Sequence, residues 1–135
     1  TISCKNYFTT SRKVVKIWLV VGAIFAALTV LIGAFGAHGL KSKVSPEYLL
    51  IFETGVRYQM YHSLALVLIG TIGYYLPQSS LAPVGYFMIA GIMIFSGSLY
   101  LLVLTNIRWL GAVTPIGGIC FIIGWLLLAY NIYRS

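Results

Sequence analysis

The chain has 135 residues, 60% of them hydrophobic and 8% charged, with a mean hydropathy of +0.96. Soluble domains average about 45–50% apolar and about 25% charged residues, so this composition excludes an ordinary soluble domain and describes an integral membrane protein. The net charge of +7, nine Lys and Arg against Glu47 and Glu53, flanks apolar segments instead of forming a stripe. It implies loop anchoring and contact with lipid headgroups, and no nucleic-acid partner.

Residues 1–13, TISCKNYFTTSRK, form a polar basic tail ahead of one domain, 14–135. The tail has no initiating methionine and reads as a trimmed or processed end, a cytoplasmic tail in preference to an organelle-targeting remnant. A spanning helix needs about 20 apolar residues, and four fit into the rest of the chain. The fold class is therefore all-α, an integral membrane bundle of four transmembrane helices.

The first span runs from Ile17 to about Ala37. Its small residues Gly22, Ala26, Thr29, Gly33 and Gly36 recur at spacings of four and three, one stripe of a helix on which another backbone can approach closely. Gly39 with Lys41 and Lys43 marks a helix stop. Ser45, Pro46 and Glu47 mark a start: a capping hydroxyl, a proline with no amide hydrogen to lose, and an acid in the first turn. No breaker follows until Pro77, so the second helix is expected to be about 30 residues long. The third span is expected from about Val84 to Thr105 and the fourth from Trp109 to about Tyr133, joined tightly through Asn106, Ile107 and Arg108. Lys5, Arg12, Lys13 and Lys16 precede the first span, which places both termini in the cytoplasm.

The ordered set GAFGAHGL (33–40), ETGVRYQMYHSLAL (53–66), FSGSLYLLVLT (95–105), TPIGG (114–118) and GWLLLA (124–129) resembles domain of unknown function family 423. These are small bacterial inner-membrane proteins related to the eukaryotic transmembrane protein 256. The resemblance runs from about Ile17 to Tyr130. It implies a four-helix protein of the bacterial inner (plasma) membrane, with the mitochondrial inner membrane as the alternative, and it implies no activity.

Chemistry has few places to sit. Glu53 and Arg57 are four apart with the acid first, the favourable order for an intrahelical ion pair. His62 lies deeper and is turned about 140° from Arg57 and about 180° from Glu53. It must therefore find a partner on another helix, among Ser96, Ser98, Thr105, Asn106, Thr114 or the loop bearing His38. Glu53, Arg57, His62 and His38 are the candidate binding residues. In TPIGG, Pro115 frees a backbone carbonyl while Gly117 and Gly118 loosen the chain, the makings of a helix break.

Two histidines without a third ligand do not make a metal site. Cys4 and Cys120 lack any CxxC or Cys/His spacing. No cofactor is expected, and no catalytic residue: the sequence holds no serine nucleophile with a base, no phosphate loop and no carboxylate pair. The leading expectation is an accessory or scaffold component that self-associates or docks in a larger membrane assembly. The alternative is a minor transporter, or a proton or small-solute pathway through Glu53, Arg57 and His62.

Overall fold

The computed structural model describes residues 2–135, the side chains of 2–11 and of Gln78 excepted. Helix α1 spans Ile2–Phe35 and continues into a π-helical turn, Gly36–Leu40; α2 spans Pro46–Ile72. The third segment is α3, Gln78–Gly91, a second π-helical turn, Ile92–Ser96, and α4, Gly97–Thr105; α5, Leu110–Arg134, closes the bundle. Among the described residues there is no strand.

The helix boundaries follow local chemistry. The Ser45 hydroxyl accepts the Tyr48 N–H at 3.2 Å, Pro46 opens α2 and Glu47 sits in its first turn, each supplying what the open N-terminus lacks. Pro77 precedes α3. Asn106 ends α4 in the left-handed conformation, φ 58°, its N–H returning to the Leu102 carbonyl, a conformation asparagine tolerates better than most residues.

Two features differ from the sequence reading. Helix α1 begins at Ile2, so helical structure runs through the polar tail. The TPIGG segment does not break its helix: α5 is continuous through Pro115, which removes the helical bond that its own N–H would have donated to the Gly111 carbonyl. By length and apolarity three helices qualify as membrane spans, within 12–40, 79–105 and 110–134. Helix α2, which carries Glu47, Glu53, Arg57, Gln59 and His62, is not among them.

That helix nevertheless buries one whole face. Phe52, Gly55, Gln59, His62, Leu66 and Ile69 are all buried, at spacings of three and four that keep them on one face. It runs antiparallel to α1: Leu19 meets Gly70, Gly22 meets Val67, Gly33 meets Val56 and Gly36 meets Phe52. Helices α3 and α5 pair likewise, Met88 against Gly124 and Phe95 against Gly117. The apolar core divides in two. One cluster holds Trp18, Leu66, Ile69, Leu81, Val84, Met88 and Phe121; the other holds Leu40, Phe52, Leu102 and Val103. Between them lies a polar layer.

Candidate functional site

The layer is built from α2 outward. Gln59, 4% exposed, donates its amide to the Phe25 carbonyl of α1 at 3.2 Å and accepts the Tyr100 hydroxyl of α4 at 2.7 Å. The same Phe25 carbonyl accepts the buried Thr29 hydroxyl at 2.7 Å. The Ser63 hydroxyl donates to the Gln59 carbonyl, the Ser96 hydroxyl to the Gly55 carbonyl at 2.7 Å, and Ser98 shares a hydrogen bond with Thr114 at 2.6 Å. One amide thus ties three helices together, and each hydroxyl is spent on a near neighbour.

His62, 5% exposed, sits with Nδ1 2.6 Å from the Tyr58 carbonyl and Nε2 3.1 Å from the indole Nε1 of Trp125 on α5. An indole N–H only donates and a carbonyl only accepts. The proton therefore belongs on Nδ1, and Nε2 takes the indole hydrogen. The ring also stacks on Phe121, centroids 3.4 Å apart at 11°, beside a further stack of Tyr58 on Phe95 at 4.6 Å. None of the serine hydroxyls described above donates to the imidazole.

Glu53 and Arg57 lie elsewhere. Arg57 Nη2 is 3.4 Å from Glu53 Oε2, and their side chains are 61% and 47% exposed. They line a groove of about 230 Å³ together with Gly33, Gly36, Ala37, Phe52 and Val56. The fold therefore separates the four candidate binding residues: Glu53 and Arg57 pair on the outside, His62 is enclosed by α5, and His38 is exposed in the π-helical turn.

The stripe residues Gly22, Gly33 and Gly36 face α2. A methyl group at Gly22 would come within 2.8 Å of the Val67 nitrogen and 2.9 Å of the Ser63 carbonyl oxygen. Gly117 packs on the Phe95 backbone with no room for a side chain, whereas Gly118 stands 3.9 Å off the Phe95 ring. Among the described residues no group of three or more His, Cys, Asp or Glu is placed to hold a metal.

Gln59, Tyr100 and Trp125 were not singled out from the sequence. For Gln59 a signal existed, its spacing of four from Gly55 and three from His62 along the buried face. Trp125 had none, because its pairing depends on how α5 is rotated against α2. One buried donor, Trp18 Nε1, has no partner among the described residues.

A family model described as a protein of unknown function (DUF423) matches residues 32–118. A UPF0382 membrane protein of Staphylococcus aureus (strain bovine RF122 / ET3-1) is 50% identical over 119 residues, 88% of this chain and 97% of its own. The UPF0382 membrane protein YwdK of Bacillus subtilis is 47% identical over 114 residues, 84% of this chain and 93% of its own. No solved structure matches. The matched segment runs from the end of α1 into α5 and includes the whole of α2, and the chain belongs to the DUF423 family of membrane proteins of unknown function.

Proposed function

We propose that the chain crosses the membrane four times and works by association, as an accessory or scaffold component that pairs with itself or docks in a larger membrane assembly. In this reading it is not an enzyme. The fourth crossing is supported by geometry. Helix α2 is 27 residues long, about 40 Å at 1.5 Å per residue, more than the roughly 30 Å hydrocarbon layer. It also lies antiparallel along α1, and Gln59, His62 and Ser63 point into the bundle.

The observation carrying the functional reading is the closed state of the polar layer. Both His62 nitrogens, both ends of the Gln59 amide and the Ser63, Ser96 and Ser98 hydroxyls are engaged within the protein. A pathway would present such groups to water or substrate. The groove beside Glu53 and Arg57 does not count His62 among its lining residues.

Localisation follows the bacterial relatives, whose names call them membrane proteins. The bacterial inner membrane is the proposed site, with both termini cytoplasmic because Lys5, Arg12, Lys13 and Lys16 precede the first apolar run. The mitochondrial inner membrane is the alternative. Purification in mild detergent, with companions identified by mass spectrometry, tests the association, and flux through proteoliposomes tests the competing pathway. The expected result is a stoichiometric companion or self-association without flux. Proton or solute flux that disappears in His62→Phe reverses the order of the two readings.

A further inference from the structure

We propose that the groove between α1 and α2 at Glu53 and Arg57 is a phospholipid site, selective for headgroups that carry a cationic amine beyond the phosphate. The inference rests on α2 crossing the membrane. Measured from Pro46, Glu53 lies about 10 Å along the helix and Arg57 about 6 Å further. Arg57 therefore sits below the headgroup plane, on the outside of the bundle. A guanidinium at that depth is costly unless it reaches an anion at the interface. Glu53 supplies one contact, at 3.4 Å and monodentate, which leaves several donors for a phosphate, the anion that a planar guanidinium fits best.

The wall beside the pair suits an acyl chain. Gly33 and Gly36 pack directly against Val56 and Phe52, and with Ala37 they give the groove beside the two charges an apolar lining with little side chain from α1. The order of charges is also informative. In a phospholipid the phosphate is next to the glycerol, and an amine, when present, lies further out. Arg57 is the deeper charge and Glu53 the shallower, so phosphate meets guanidinium and amine meets carboxylate. An anionic headgroup with no amine satisfies only the first.

The test uses the full chain, delipidated in mild detergent and then exposed to phosphatidylethanolamine, phosphatidylglycerol or diacylglycerol, with bound lipid counted by native mass spectrometry. Phosphatidylethanolamine should be retained about tenfold over phosphatidylglycerol, a factor equivalent to about 1.4 kcal/mol, and both above diacylglycerol. Arg57→Gln should bring both phospholipids down to the diacylglycerol level. Glu53→Gln should abolish the preference between them. Ala37→Trp, which fills the groove and keeps both charges, should lower retention of all three, so a poorly folded charge variant does not decide the matter.

Diacylglycerol held as well as the phospholipids, or wild-type retention in Ala37→Trp, overturns the site. Equal retention of the two phospholipids overturns the amine contact. A dimer that dissociates in Ala37→Trp with lipid retention unchanged assigns the groove to a second copy instead. Failure of the four-span reading looks different: cysteines placed at Ser45 and Gly73 would then be labelled from the same side of the membrane.

Discussion

An imidazole held at both nitrogens makes His62 a joint between α2 and α5. A double-mutant cycle of His62→Phe and Trp125→Phe, read by equilibrium unfolding in mixed micelles, should give a coupling of about 0.6 kcal/mol and no more than about 1.7, the range of hydrogen bonds between membrane helices. No coupling would mean that the two side chains do not pair. At Gln59 the stakes are higher because one amide serves two helices. Gln59→Leu strands the Tyr100 hydroxyl in the interior and should cost about 1–3 kcal/mol. Adding Tyr100→Phe removes the stranded group and should recover part of that loss; a double variant no better than the single one counts against the network.

The α1–α2 pair shows how a stripe of small residues divides its work. A Cβ at Gly22 meets backbone, the Val67 nitrogen at 2.8 Å, whereas one at Gly33 meets the Val56 side chain at 3.3 Å. Backbone cannot yield and a valine methyl can. Gly22→Ala should therefore destabilise by about 1–3 kcal/mol. Gly33→Ala should lie between neutral and about 1 kcal/mol stabilising, since alanine is the better helix former. Equal effects at the two positions, measured by unfolding in micelles, would show that α1 does not sit on α2 as described. The stripe and the Ser45–Pro46–Glu47 start were legible because both depend on spacing within one segment. So was the Asn106 turn, a short polar connection between two apolar runs. The two π-helical turns were not, because an extra residue in a helix is accommodated by what packs around it. For His62 the spacing points to hydroxyls, an amide or the loop bearing His38; the donor is the Trp125 indole, which spacing within one segment cannot indicate.

At the scale of the molecule, the apolar–polar–apolar layering explains why three helices qualify as spans by composition and the central one does not. Helix α2 carries its glutamine and histidine on the face it buries and leaves Leu50, Leu64 and Leu68 exposed, so its composition as a whole is less apolar than its outward face. Topology remains the main whole-molecule prediction. Reporter fusions at the N- and C-termini should both signal from the cytoplasmic side; an external signal from either end defeats that orientation, and signals from opposite sides defeat the four-crossing arrangement.

The enclosed polarity of α2 has a consequence for biogenesis. On the four-crossing arrangement, this helix would enter the bilayer carrying Gln59 and His62 before α4 and α5 have been made to cover them. The cost of that exposure should hold α2 in the translocation machinery, or fold it onto α1 as a hairpin, until the later helices emerge. Chains truncated after Pro77 should then leave the 41–45 loop and the 73–77 turn only partly segregated in a protease-protection assay. Chains extended through α5 should segregate them fully. The last helix would in this way act as the lock on the second.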